Sequence, residues 1–167
     1  EGDVGGIMQP PPEGLWGLPA ERLAEIPGFG PDIGKSRAEA RALLAQAGYG
    51  PDKPLRLRVA TRALSVYRTP ASLLVDQLKE AGIEAEIDIV ENSHWLPRIE
   101  RRDYVVAVDT TANAVDDPDQ ALFEHYACRS ERNLSRYCNG NIERLFERQS
   151  AESDPDKRRE LVWEIDS

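Results

Sequence analysis

A short polar stretch of the chain, residues 109–113, contains side chains that could bind a small ligand. It offers a carboxylate, two hydroxyl groups and an amide, which suit ionic and hydrogen-bond recognition of a polar solute. The residues that carry these groups are Asp109, Thr110, Thr111 and Asn113. Residues 104–108, directly before the stretch, form an apolar run rich in β-branched side chains, which predicts a buried strand.

The residues that follow this polar stretch indicate the start of a helix. Asp117 is suited to the N-cap position, and Pro118 is suited to the first helical position. The stretch therefore joins a strand to a helix, where open α/β sheets present their ligand-binding groups. In the alternative interpretation it is an ordinary connection, and Asp109 caps the loop by bonding its own backbone two residues further on.

Two further segments, residues 55–61 and 83–90, alternate apolar and polar side chains as strands do. With residues 104–108 they give a β-α-β-α-β order with short connections. Such an order predicts a parallel sheet with right-handed crossovers. The strand at residues 104–108 is predicted to be central or near-central, flanked by the other two, since it is continuously apolar whereas they alternate.

Helices are predicted before the first strand and after each of the first two. The first begins after an N-cap at Ser36, the second at Thr69-Pro70, and the third covers about residues 93–101. The residues predicted to end the first two helices are Gly48 and Gly82.

The carboxyl ends of parallel strands meet at one edge of a sheet. The groups just beyond the three predicted strands are Arg62 with Tyr67, residues 92–95, and residues 109–113. Their convergence predicts a ligand site at this edge. Within residues 92–95, a surface His94 beside a core Trp95 is favoured over a ligand-stacking pair.

The rest of the chain contains irregular segments and helices. Residues 1–34 are rich in glycine and proline, with one short helix predicted at residues 20–26, and resemble a strap that belongs to something larger. Helices are also predicted over residues 121–126, after Asn139 and from Asp154-Pro155. The charged residues 157–160 are predicted to form a solvated helix face.

Composition limits the classes of function. The chain has 167 residues, which is enough for one domain with a core. Its net charge of −9 argues against a nucleic-acid partner, because binding to phosphates needs a basic surface. It contains no apolar run long enough to span a bilayer. Both ends are expected to be truncated. Cys128 and Cys138 could form a local disulfide or remain two free thiols.

No catalytic or metal-binding motif is present in the sequence. Asp116, Asp117 and Asp119 could serve as acid, base or metal ligands, but helix capping explains Asp117 more simply. Two alternatives use Asp109. One is a doubly wound enzyme domain that acts on a small anionic substrate through Asp109 and Asp116. The other is a signalling domain in which Asp109 is a phospho-acceptor.

Several short motifs recur together in the order of one protein family. They are residues 36–44 (SRAEARALL), 47–50 (AGYG), 77–83 (QLKEAGI), 117–119 (DPD), 137–139 (YCN) and 154–158 (DPDKR). On these motifs the chain resembles the carboxyl-side lobe of the extracytoplasmic solute-binding proteins of peptide and nickel ABC importers, bacterial family 5.

The resemblance implies an α/β fold, a type II periplasmic-binding-protein-like lobe with a mostly parallel sheet and helices on both faces. Residues 1–34 would lead in from a missing first lobe, and residues 35–167 would form the ligand-binding lobe, truncated at its C-terminal helix. The protein would bind a peptide or other small organic molecule in a cleft between two lobes. It would be periplasmic or extracytoplasmic, with neither catalysis, cofactor nor metal.

The resemblance also implies partners and site residues. The partners would be the ligand, an ABC permease in the membrane and the remaining lobe, with no nucleic acid. An oxidising compartment favours a Cys128–Cys138 disulfide. Dipeptide-binding relatives have an acidic residue three positions before the Asp-Pro pair, where this chain has Ala114. Some relatives place an arginine for the ligand carboxylate near Arg62. The predicted ligand-binding residues are Asp109, Thr110, Thr111, Asn113 and Arg62.

Overall fold

The computed structural model describes residues 6–8, 14–111 and 114–167. These residues form two compact units. The sheet unit is Asp32–Thr111, and the helical unit comprises the described parts of Glu1–Pro31 and Ala112–Ser167. The role of residues 1–34 as a strap from another lobe stays a prediction.

Seven helices and three strands occur in the described residues. In chain order they are α1 (Ala20–Leu23), α2 (Ile33–Gln46), β1 (Leu55–Arg62), α3 (Ser65–Glu80), β2 (Ile83–Val90), α4 (Asn92–Glu100), β3 (Val106–Val108), α5 (Pro118–His125), α6 (Gly140–Ala151) and α7 (Pro155–Asp166). None of these helices is long and apolar enough to cross a membrane.

The sheet is parallel, as predicted, with the strand order β2-β1-β3. Leu55 pairs with Ile83, and Thr61 pairs with Val108. The prediction that the strand at residues 104–108 is central is wrong, because among the described strands β3 lies at an edge and β1 is central. Only three residues pair in β3, and Val105 is 81% exposed. The apolar run before Asp109 is therefore only partly strand.

Helices cover both faces of the sheet, as the resemblance implied. On one face, Val59 of β1 and Ala85 of β2 pack against Ala71 and Val75 of α3. On the other face, Asp88 of β2 binds Arg98 of α4, with 2.6 Å between Oδ2 and Nη2. This hydrogen bond and the Arg98 charge outweigh the effect of burial and lower the pKa of Asp88.

Helices α2 and α3 begin earlier than the sequence predicted. Helix α2 begins at Ile33, and its cap is Asp32, whose carboxylate accepts a hydrogen bond of 2.9 Å from Lys35 N. The N-cap prediction at Ser36 is therefore wrong. Because Asp is as good a cap as Ser, the two candidates could not be separated by residue type.

Helix α3 begins at Ser65, so the predicted start at Thr69-Pro70 is also wrong, and Pro70 lies inside the helix. Only two residues separate β1 from α3, and the first of them, Ala63, still donates its N–H to Val90 O on β2. The predicted ends are confirmed, since Gly48 (φ +85°) and Gly82 (φ +92°) adopt the left-handed conformation just after the two helices.

In the helical unit, the predicted caps are confirmed. Asp117, Asn139 and Asp154 each accept a hydrogen bond from the backbone N–H two residues on, at the starts of α5, α6 and α7. One core of this unit is formed by Leu122, Phe146 and Ile165, one residue from each of α5, α6 and α7.

The irregular segment between α5 and α6 is closed by a disulfide between Cys128 and Cys138. Inside it lies Asn133, which is 2% exposed. Its amide donates to the carbonyl oxygens of Ala127 (3.1 Å) and Tyr137 (2.7 Å). A covalent bond and a buried side chain thus hold the segment together.

Arg158 lies in the stretch that was predicted to be a solvated helix face, and for this residue the prediction is wrong. Its side chain is only 17% exposed. It forms two hydrogen bonds with the Asp117 carboxylate, of 2.9 and 3.0 Å, and a third of 3.0 Å with the fully buried Gln149. Burial raises the pKa of Asp117. The hydrogen bonds from Arg158 and Asp119 N, together with the Arg158 charge, lower this pKa by a larger amount, so it lies below its ordinary value.

Candidate functional site

The carboxyl edge of the sheet unit carries two opposite charges side by side. Arg62 is the last residue of β1, and Asp109 directly follows β3. They come immediately after the register pair Thr61 and Val108. Nη1 of Arg62 lies 3.9 Å from Oδ1 of Asp109, close enough for an ion pair and too far for a hydrogen bond.

Neutral groups hold the guanidinium of Arg62 in place. Its Nη1 donates to the Tyr67 hydroxyl at 2.9 Å, and its Nε donates to Oδ1 of Asn92 at 3.3 Å. The guanidinium carbon also lies 4.5 Å from the centre of the Tyr67 ring, in cation–π contact. These contacts come from the first turns of α3 and α4, which begin just beyond β1 and β2.

Neutral donors hold the carboxylate of Asp109 in the same way. The Trp95 indole Nε1 donates to Oδ2 at 2.6 Å, and Thr110 N donates to Oδ1 at 2.9 Å. The alternative interpretation expected the Asp109 side chain to accept a hydrogen bond from the backbone two residues further on. Such a bond to the backbone exists, but its donor is Thr110 N, only one residue further on. It leaves the Asp109 side chain 36% exposed, with access for a ligand.

Beneath the pair lies Thr61, which is fully buried. Its hydroxyl is 3.2 Å from Tyr67 O and 3.3 Å from Val108 O. One hydroxyl can donate to one of these carbonyl oxygens at a time. The Thr61 hydroxyl thus connects β1 with β3 and with the start of α3. The backbone next to Arg62 and Asp109 is therefore held by the hydrogen bonds of the sheet and by this side chain.

The structure brings together most of the groups that were predicted to converge. Arg62 and Asp109 meet, and Thr110 and Thr111 follow as exposed residues. Asn113 lies outside the described residues. That these residues bind a ligand stays a prediction.

His94 is exposed and Trp95 is 4% exposed, as the favoured interpretation had it. The sequence did not reveal that Trp95 also orients Asp109, because fourteen residues separate the two and no local pattern connects them.

The two carboxylates of the enzyme alternative lie in different units. Asp116 belongs to the helical unit, where its Oδ2 accepts a hydrogen bond of 3.2 Å from Leu15 N and its carbonyl accepts one of 2.9 Å from Trp16. Asp117 caps α5 and binds Arg158. Over the described residues, no three His, Cys, Asp or Glu side chains are grouped so that they could hold a metal ion.

The fold, a parallel sheet with helices, matches part of the fold of periplasmic-binding-protein-like solved structures. Three solved structures share it at 14–20% identity. Burkholderia pseudomallei OppA matches with a TM-score of 0.74 at 20% identity, over 84% of this chain and 28% of that chain. The Escherichia coli murein tripeptide binding protein MppA matches at 0.75 and 18% identity, over 99% and 30%. Haemophilus influenzae OppA in complex with the peptide RPPGFSPFR matches at 0.74 and 14% identity, over 92% and 31%.

The chain belongs to family 5 of the bacterial extracellular solute-binding proteins, because the model of the middle part of that family matches residues 7–133. It is 30% identical over 128 residues to the probable di/tripeptide-binding protein 5 of Pseudomonas aeruginosa (strain UCBPP-PA14). This match covers 72% of the chain and 23% of the relative. These relatives are binding proteins, and they give no support to the enzyme alternative.

Proposed function

We propose that the protein is the substrate-binding receptor of an ABC importer and that it binds a small solute in a cleft between two lobes, one of which contains this chain. Family membership supports the class of function. The observation that carries the site is the Arg62–Asp109 pair, which stands accessible at the carboxyl edge of the sheet and is oriented by neutral groups. Binding would close the two lobes around the solute.

A peptide or other small organic molecule is the proposed ligand. The name of the Pseudomonas relative, a probable di/tripeptide-binding protein, supports this class. Ala114 stands where dipeptide-binding relatives have an acidic residue, so Asp109 is proposed to provide the carboxylate at the site. Thr110, Thr111 and Asn113 are proposed as further ligand contacts, because their small side chains leave the backbone accessible.

The proposed partners and location follow from the same class of function. The liganded receptor would deliver its solute to a permease in the membrane, and the second lobe would complete the cleft. The family is extracellular, and we propose a periplasmic location for this member. Residues 1–34 are proposed to connect the lobes.

The site is tested by comparing Asp109→Asn with Asp116→Asn in the full-length protein. Ligand is first identified by native mass spectrometry of protein purified from its own host, and its affinity is then measured by calorimetry. We expect the first substitution to weaken binding at least tenfold and the second to leave binding unchanged. Unchanged affinity in both folded variants would remove Asp109 from the site and leave recognition to the other lobe.

A further inference from the structure

The Arg62–Asp109 pair consists of two opposite charges that are oriented by other groups instead of by each other. The closest atoms are 3.9 Å apart, beyond hydrogen-bond distance. The guanidinium is held by Tyr67 and Asn92, whereas the carboxylate is held by Trp95 and Thr110 N. Both charges are therefore in position before any ligand arrives, which reduces the ordering cost of binding.

Both members of the pair retain capacity for a ligand. The Arg62 side chain is 28% exposed and that of Asp109 is 36% exposed. Nη2 of Arg62 has no hydrogen-bond partner in the described part of the chain. A carboxylate has about four acceptor positions, and the two hydrogen bonds to Asp109 leave some of them open. The site thus offers a donor to an anion and, beside it, an acceptor to a cation.

On the proposed function as its basis, we propose that this edge binds an α-amino acid head group, with the ligand carboxylate on Arg62 and the ligand ammonium on Asp109. The carboxylate and ammonium groups of such a ligand are attached to the same carbon atom, which suits two protein charges only 3.9 Å apart. Each contact is a charge-assisted hydrogen bond. A ligand with one charge alone would leave the other protein charge without a new partner after water is excluded.

The spacing separates this ligand class from ordinary peptides. Each extended residue spans about 3.5 Å, so the charged termini of an extended dipeptide are about 7 Å apart and those of a tripeptide about 10 Å apart. Such a ligand can place only one terminus on the pair. The matching class is free amino acids and compounds that retain an unmodified amino acid head.

The test uses ligand-free full-length protein and calorimetry with the twenty free L-amino acids and a matching set of di- and tripeptides. We expect at least one free amino acid to bind, and its N-acetyl and methyl ester derivatives to bind at least tenfold more weakly. Binding of peptides without binding of any free amino acid would overturn the head-group proposal and leave the receptor function intact. Binding of neither class would also overturn the head-group proposal, and the receptor function would then be judged on the ligand that native mass spectrometry identifies.

Two variants assign the charges. In Asp109→Asn, N-acetylation of the ligand should no longer weaken binding, whereas esterification should still do so. Arg62→Gln should show the converse. The matched control is Asp76→Asn on α3, an exposed carboxylate paired with Lys79, which should retain both losses. Since each comparison is between ligands of one folded variant, altered stability does not affect it. Equal losses in all three variants would overturn the assignment.

Discussion

The indole nitrogen of Trp95 lies 2.6 Å from Oδ2 of Asp109 and donates a hydrogen bond to it. Trp95 is 4% exposed, whereas the Asp109 side chain is 36% exposed. A core residue of α4 therefore sets the direction of a charged group at the surface. Packing of the helix and orientation of the proposed ligand site depend on one side chain.

Trp95→Phe should separate these two roles, because it retains an aromatic ring in the core and removes the donor. We expect the free energy of unfolding to fall by about 1.5–2 kcal/mol, the lower part of the range for a hydrogen bond to a charged group, because Asp109 is partly exposed. Ligand affinity should also fall. The measurements are urea unfolding and calorimetry.

Trp163→Phe is the matched control, because Trp163 donates a 2.9 Å hydrogen bond to Gly17 O in the helical unit. It should cost about 1 kcal/mol of stability and leave ligand affinity unchanged. If Trp95→Phe binds ligand as tightly as the unmodified protein, then Trp95 has no positioning role.

Arg158 and Arg159 are neighbours on α7 that should differ widely when replaced. Arg158→Gln removes two hydrogen bonds to Asp117 and one to the buried Gln149. We expect a loss of about 2–3 kcal/mol, below the range for a fully buried pair because the Asp117 side chain is 40% exposed. Thermal and urea unfolding measure it.

Arg159→Gln removes an exposed ion pair with Asp156 and a cation–π contact with the Trp163 ring, whose centre is 5.6 Å away. It should lower the free energy of unfolding by no more than about 1 kcal/mol. Equal effects of the two substitutions would contradict the structural role given to Arg158.

Asp88 should stabilise the sheet unit in a pH-dependent manner. Its hydrogen bond from Arg98 lowers its pKa in the folded protein. The folded protein then binds its proton less readily than the unfolded chain does, so the stabilisation is complete above the unfolded pKa of about 3.9 and is lost as pH falls through the folded pKa. Asp88→Asn should be about 1.5–3 kcal/mol less stable at neutral pH and should lose less stability on acidification. Urea unfolding across this pH range is the test, with the exposed Asp76→Asn as control.

Asp166 should show the opposite dependence. Burial raises its pKa, and the 2.6 Å hydrogen bond from Ile7 N offsets only part of that effect. The folded protein binds this proton more readily than the unfolded chain, so the contribution of Asp166 to stability grows as pH falls through the folded pKa and is complete below about pH 3.9. Asp166→Asn retains an acceptor for Ile7 N without the buried charge.

We therefore expect Asp166→Asn to be more stable than the unmodified protein at pH 7, with the difference narrowing in acid. Urea unfolding at several pH values measures both. A variant that is less stable at pH 7 and follows an unchanged pH profile would contradict the direction of the Asp166 pKa shift.

Local patterns predicted the parts of the fold that local physics decides. Alternation placed β2 at residues 83–90, where the structure has it, and left-handed glycines marked the ends of α2 and α3. Helix starts failed where the chain offers two candidates, since Asp32 and Ser36 are both good caps. At α3, the start signal failed because Pro70 lies inside the helix, at its sixth residue, where proline removes a backbone hydrogen bond and is normally disfavoured.

Relationships between distant residues could not be predicted from the sequence. Convergence at the carboxyl edge followed from the parallel order of the strands, and it brought Arg62 near Asp109. The partners that orient these charges, Tyr67 and Trp95, depend on the rotation of α3 and α4 about their axes. The burial of Arg158 depends likewise on the packing of α7 against Gln149 and Asp117, which no charge pattern along the helix reveals.

The arrangement of the two units along the chain has a consequence for the order of folding. Paired residues of β1 and β2 are 28 positions apart, so the sheet unit can form from a continuous segment as soon as it is synthesised. The helical unit depends on bonds between residues 159 positions apart, Ile7 and Asp166, and 146 apart, Gly17 and Trp163. Its first segment must wait for α7 to be made. During synthesis the sheet unit should therefore become protease-resistant first, and the apolar residue Met8, which packs against Val162 of α7, should stay uncovered until that helix is made.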